Sequence, residues 1–159
     1  MIDAIEFRRV MGHFATGVAI VTTRDPAGRP CGLTANAVCS VSIDPTLVLV
    51  CVDHRSDSHD CIGSSGVFAV NVLAQEGGET LARRFSAREV QDKFRGVAYA
   101  EETTGAPVLP GALAWLDCRV VEAHRGGDHT IFLGEVMAAD AREGSPLLYY
   151  RGGYGRFTP

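Results

Sequence analysis

Gly32-Leu33-Thr34-Ala35-Asn36-Ala37-Val38-Cys39-Ser40-Val41-Ser42-Ile43-Asp44-Pro45 is the stretch on which the fold turns. Read at strand period, Leu33, Ala35, Ala37, Cys39, Val41 and Ile43 share one face, and Thr34, Asn36, Ser40 and Ser42 share the other. The first face reads as core and the second as a row of short hydrogen-bonding groups. A half-buried strand ordinarily carries long charged side chains on its wet side. Short hydroxyls and an amide instead leave room for a flat ligand to approach the backbone and be bonded along its edge. The stretch reads as a bed for a planar heterocycle, although period alone equally fits a small-residue barrel strand packed under a helix.

Outward from this stretch, the pattern alternates short strands with irregularly placed helices. Asp3 stands three residues before Glu6 as a capping box, and Phe7, Val10, Met11 and Phe14 mark one apolar helix face ending at Gly17. Val18 to Thr23 reads as a buried strand, Asp25-Pro26-Ala27-Gly28 as a turn, and Cys31 to Ile43 as the next strand of a hairpin. The apolar strand Leu47 to Val52 empties into the polar loop Asp53 to Asp60, where Ser58 is placed to cap a short helix ending near Gly63. Val67 to Leu73 reads as a strand, Gly78 to Phe85 as a helix, and Arg88 to Gly105 has no clear period. Two long strands, Ala112 to Ala123 and His129 to Ala139, flank the turn Arg125-Gly126-Gly127-Asp128, and Leu147 to Tyr150 precedes a glycine-broken tail. About six strands without regular strand–helix alternation exclude a doubly wound sheet. The expected fold is mainly β, an antiparallel barrel with peripheral helices, in one domain over residues 1–159.

Composition narrows the function. The net charge of −4 and the absence of any Lys/Arg run argue against nucleic acid as a partner. No apolar run approaches membrane-spanning length and the N-terminus shows no leader pattern, so a cytoplasmic protein is expected. Five cysteines at scattered spacings suit reduced core thiols better than a disulfide framework, and no metal-ligand spacing is present. The loop Asp53 to His59 offers Ser, Arg and His donors suited to phosphate, although a solvated charged loop fits the same residues.

Seven ordered segments carry a likeness to a known family. They are Phe14 to Thr22, Gly32 to Pro45, Val50 to Asp53 with Arg55-Ser56, Phe68 to Leu73, Asp92-Lys93-Phe94, Gly127 to Thr130, and Pro146 to Gly153. From end to end the chain resembles the flavin reductase-like family, in particular the small reductase components of two-component flavin-dependent monooxygenases. The resemblance implies an FMN-binding split barrel and a homodimer with flavin sites near the subunit interface. It implies reduction of FMN or FAD by NADH or NADPH, and a separate flavin-dependent monooxygenase as recipient of the reduced flavin. Carried over by residue, it implies that Thr34, Ala35, Asn36 and Ala37 line the isoalloxazine. Ser40, Asp53, Arg55, Ser56 and Ser58 then serve the ribityl and phosphate end, with Phe85 packing nearby.

The same resemblance places His129 beside the nicotinamide as an orienting or proton-supplying group, where the sequence alone equally allows a surface histidine. It also assigns Tyr150, Arg151, Gly152 and Tyr154 to the nicotinamide dinucleotide, although a glycine-rich terminus by itself reads as disordered. Hydride transfer is chemistry carried by the cofactors, so the protein needs no triad, carboxylate pair or metal site. Two other readings share the fold: a flavoprotein that keeps its flavin and acts on another substrate, and a non-catalytic flavin or haem carrier. The Gly127-Asp128-His129 turn and the aromatic tail favour catalysis over the carrier.

Overall fold

Asp3 starts the first helix as its spacing predicts: the carboxylate accepts a 2.8 Å hydrogen bond from the backbone N of Glu6. The computed structural model describes residues 1–158. In chain order its elements are α1 (Ala4–Met11), β1 (Thr16–Gly17), β2 (Ala19–Arg24), β3 (Pro30–Ala35), β4 (Val38–Ile43), β5 (Thr46–Asp53), α2 (Asp57–Ser65), β6 (Val67–Val72), α3 (Gln75–Ser86), β7 (Ala100–Glu101), β8 (Pro107–Val108), β9 (Ala114–Gly126), β10 (His129–Ala141), β11 (Leu147–Tyr150) and β12 (Gly153–Arg156).

Seven strands form one antiparallel sheet in the order β3-β2-β6-β9-β10-β5-β4. Strands β3 and β4 follow each other in sequence yet occupy opposite edges of that sheet. Only Asn36 and Ala37 lie between them, so the sheet has to curl until its edges nearly meet. At that seam Cys51 N donates to Ala37 O at 3.0 Å. The result is an antiparallel barrel split along one seam, the expected fold class.

The single strand expected from Cys31 to Ile43 is therefore two strands. Asn36 and Ala37 leave the ladder, and a register shift between Ser40 and Ser42 changes the phase again. Val38 packs on the core, whereas Cys39, Val41 and Ile43, expected inside, face outward, with Ile43 92% exposed. Ser58 also departs from expectation: it lies buried inside α2, and the cap position is Ser56.

Strand β2 is buried on both faces, because the barrel interior packs on one side and α3 on the other. Its polar members are satisfied. Thr22 Oγ1 donates to Pro107 O and Thr23 Oγ1 to Val67 O. Asn71 on β6 donates to Ile20 O and Thr22 Oγ1, and accepts from Leu109 N at 2.7 Å. Inside the barrel Val21, Val50, Val52, Phe68, Val70 and Phe132 form the main core. Gly134 on β10 admits the Phe68 ring, which a Cβ would meet at 2.5 Å.

The C-terminal tail is structured. β11 and β12 pair through the two-residue turn Arg151-Gly152, both with positive φ, and β1 adds to β11 with Thr16 opposite Tyr149. Helix α1 buries no residue: Phe7, Val10, Met11 and the following Phe14 are each at least half exposed, so the apolar face read from the sequence is a surface face. No described helix is long and apolar enough to cross a membrane. The cysteines also depart from the expectation of reduced core thiols. Cys31 and Cys61 are joined as a disulfide across a Cα separation of 6.8 Å, Cys39 is exposed, and Cys118 is buried. A sequence separation of 30 hid a pair that only the packing of α2 on β3 creates.

Candidate functional site

A trough runs along β3, from the strand break to the polar loop after β5. Its aromatic end is a cavity of 270 Å³ between Val18, Ala35 and Asn36 on one side and Tyr149 and Tyr154 on the other. Its charged end is a cavity of 370 Å³ reached by Asp53, Arg55, Ser56, Asp57, Arg88 and Lys93. Thr34 and Ser86 border both, so the two cavities adjoin.

Local packing fixes the walls. Thr34 Oγ1 donates to Ala82 O at 2.6 Å and pins α3 to β3. Gly32 lets the Phe85 ring lie against β3, where a Cβ would sit 2.8 Å from Phe85 Cε1. Lys93, the sole lysine of the chain, donates to Phe85 O at 2.8 Å. The polar loop is anchored as well: Thr130 Oγ1 hydrogen-bonds Nε2 of His54 at 3.1 Å and Nε2 of His59 at 2.8 Å.

The charged end holds three cations against two carboxylates. Asp53 and Arg55 bind one another, and those hydrogen bonds hold the Asp53 carboxyl well below the usual carboxylate range and raise Arg55. Burial lowers Lys93, opposed by the nearby Asp57 charge. Arg88 makes no side-chain hydrogen bond within the described residues, which leaves its guanidinium for an anion. At the other end, burial raises Tyr154 while Arg83, stacked 5.2 Å over its ring, opposes that shift.

Of the residues read from sequence, Thr34, Ala35, Asn36, Asp53, Arg55, Ser56, Phe85 and Tyr154 line the trough. Ala37 closes the seam beside it. Ser40 is exposed on the edge strand β4, opposite Val48, and lines none of the described cavities; Ser58 is 3% exposed within α2. Arg151 and Gly152 border a further 570 Å³ cavity, lined also by Arg8 of α1, which adjoins the aromatic end of the trough at Asn36 and Tyr149, while Tyr150 points away toward His13. His129 stands opposite Asp53 in the β5–β10 ladder, at the charged end. Its Nδ1–H donates to Asp128 at 2.7 Å, which lowers the Asp128 carboxyl and leaves Nε2 free. His129 and the Arg151-Gly152 turn therefore approach different ends of the trough.

Sequence reasoning missed Tyr149, Ser86, Arg88 and Lys93. A lone lysine in an arginine-rich chain was the available signal for Lys93; Ser86 at the end of α3, Tyr149 on β11 and Arg88 in the irregular segment after α3 owe their places to tertiary packing. Among the described residues, no group of three His, Cys, Asp or Glu side chains is placed to hold a metal ion.

Comparison with known proteins now identifies the class. The chain matches the flavin reductase like domain over residues 11–158, and it belongs to that family. It is 44% identical to the reductase subunit of a flavin-dependent monooxygenase from Rhodococcus jostii, covering 99% of this chain and 80% of that protein. It is likewise 44% identical to the reductase component of a 4-nitrophenol monooxygenase from Rhodococcus opacus, covering 99% and 83%. Among solved structures, the NADH:FAD oxidoreductase of Streptomyces globisporus, in complex with NAD and FAD fragments, superposes with a TM-score of 0.90. That protein is 40% identical, with 99% of this chain and 94% of the other covered.

Proposed function

We propose that this chain, working as one flavin reductase-like domain, reduces FMN or FAD with a nicotinamide nucleotide and releases the reduced flavin to a separate monooxygenase. The observation that carries this reading is the pair of adjoining cavities along β3, apolar and aromatic at one end and cationic at the other. Thr16 Oγ1 adds to it: this atom is buried without a partner beside Asn36, in a 290 Å³ cavity at the barrel mouth. A flavin fits these residues. Val18, Ala35 and Tyr149 offer flat apolar contact, Asn36 and Ser86 offer groups for the ring edge, and Arg88, Lys93 and Arg55 offer charge for phosphate.

The flavin, when bound, supplies the hydride acceptor, and the nicotinamide supplies the hydride. The chain holds the first ring against Ala35 and Asn36 and leaves its exposed side to the second. Orientation at near-attack distance is the main contribution asked of it. His129, oriented by Asp128, directs Nε2 toward the incoming dinucleotide, and Arg151 offers it a cation. The names of relatives that use NADH support NADH as the donor. Exposure of Asn36 and of two thirds of the Arg55 side chain supports a flavin that comes and goes.

The functional unit is a homodimer in the cytoplasm. Phe7, Val10, Met11 and Phe14 on one side and Val41 and Ile43 on the other form apolar surface beside the trough that a second copy would cover. The test is multiple turnover without oxygen: the protein should reduce many equivalents of added flavin per chain. Reduction that stops at one equivalent contradicts release.

A further inference from the structure

The five cysteines separate by environment. Burial pushes the Cys118 thiol up to about 12 and raises Cys51 as well, so neither is a reactive thiolate near neutrality. Cys39 is exposed, without a partner sulfur. Cys31 and Cys61 are different: they are bonded to each other and lie on β3 and α2, two elements that each contribute lining residues to the trough's charged end, although neither cysteine lines it. Cys31 lies on β3, three residues before Thr34. Cys61 lies on α2, one turn after Asp57, with its Sγ 3.3 Å from Asp57 O. Apart from this bond, α2 is tied to the β2–β3 hairpin by Ile62 in the core and the 2.8 Å contact between Thr23 Oγ1 and Ser65 Oγ.

We propose that Cys31 and Cys61 form a reversible disulfide closed by hydrogen peroxide, and that its closure slows the release of flavin from the trough. This rests on the reading of the trough as the flavin site. The oxidant is a by-product of the proposed activity: reduced flavin that reaches solution gives two electrons to dioxygen, yielding oxidised flavin and hydrogen peroxide. Cys31 is the more exposed of the pair. Its thiolate attacks the peroxide, the O–O bond breaks, one water leaves and a sulfenic acid remains. The Cys61 thiol then attacks that sulfur, the S–O bond breaks and a second water leaves. Two thiols and one peroxide become one disulfide and two waters, and a dithiol reductant reverses the step by exchange.

The physical consequence follows from what the bond joins. A covalent tie between β3 and α2 holds Leu33 and Thr34 at a fixed distance from Ser56 and Asp57, across the cavity they share. Local opening of that wall becomes rarer, and an already organised site loses its ligand more slowly. A reductase whose product escapes its oxygenase would make peroxide, close its own trough and release less flavin.

The experiment uses the full chain with Cys39→Ser, which removes the other exposed thiol. The protein is reduced with dithiothreitol, desalted, and treated with hydrogen peroxide or left untreated. Non-reducing peptide mapping should then find the Cys31 and Cys61 peptides linked only after peroxide. Flavin dissociation, followed by recovery of fluorescence on dilution, should be about fivefold slower in the linked form, and amides of α2 should exchange more slowly. Cys31→Ser and Cys61→Ala, made separately, should both release flavin at the reduced rate with or without peroxide. Peptides that stay unlinked, or linkage that leaves release unchanged, overturn the latch. Wild-type flavin binding by Asn36→Leu overturns the trough reading and the latch with it, whereas the first two results strike the latch alone.

Discussion

Asp53 grips Arg55 with both carboxylate oxygens: Oδ1 accepts from the Arg55 backbone N at 2.8 Å and from Nε at 3.1 Å, and Oδ2 accepts from Nη2 at 2.7 Å. The pair sits where β5 ends and the polar loop begins, so it sets the direction of a guanidinium two residues past the strand. Because these bonds depress the Asp53 carboxyl, its contribution is complete above the ordinary carboxylate value. It is lost only as pH falls through the lower, folded-state value. The Asp53 carboxyl carbon signal should therefore stay unchanged from about pH 7 to about pH 4 and move at lower pH. In Arg55→Ala it should return toward the ordinary range, and flavin should bind about tenfold more weakly. A midpoint near the ordinary value in the parent protein contradicts the pairing.

Asn36 and Ser40 were neighbours on one face in the sequence reading, and the strand break separates them. Asn36→Ala should weaken flavin binding by about 0.5–1.5 kcal/mol, the size of one neutral hydrogen bond, and Asn36→Leu by more. Ser40→Ala should leave affinity unaltered. Fluorescence titration of the three variants decides the matter, and a Ser40 effect equal to that of Asn36 would place the flavin on β4.

His129 and Arg151 approach different ends of the trough, so their losses should differ in kind. His129→Ala should lower the rate of flavin reduction by up to about 10²-fold through misorientation of the dinucleotide, with flavin affinity spared. Arg151→Ala should raise the nicotinamide KM about tenfold with little change in kcat. Steady-state kinetics with both substrates varied provide the check. Parent-like constants in either variant return that residue to the surface.

The barrel interior makes a separate demand at Gly134, against which Phe68 packs. Gly134→Ala should destabilise the fold by about 1–3 kcal/mol, as overpacked cores do, read from the midpoint of urea unfolding. An unchanged midpoint would mean that Phe68 has room to move.

Much of this architecture was legible in the sequence. Buried strands announce themselves by apolar runs, as Leu47 to Val52 does, and the β9–β10 hairpin by Gly126-Gly127-Asp128. The N-cap Asp3 was legible for the same local reason, and so was the row Thr34 to Asn36 as the lining of a cavity. The break at Asn36-Ala37 was not, because its cause is tertiary: two sheet edges meet there, and alternation continues through it undisturbed. Arg88 and Tyr149 come to the trough from segments with no helix period or with a strand period that fits either face. The Cys31–Cys61 pair was invisible for a like reason, since sequence spacing carries no information about which helix packs on which strand. The outward turn of α1 was hidden because an apolar helix face has the same spacing whether it packs inward or lies on the surface.

The most direct test of the account is rapid anaerobic mixing of NADH with flavin in the presence of the parent protein or of folded Asn36→Leu. The account predicts that the parent bleaches the oxidised flavin far faster than the protein-free reaction, and that Asn36→Leu loses most of that rate as it loses flavin. Flavin that binds to the parent protein and still bleaches at the protein-free rate would contradict the central claim.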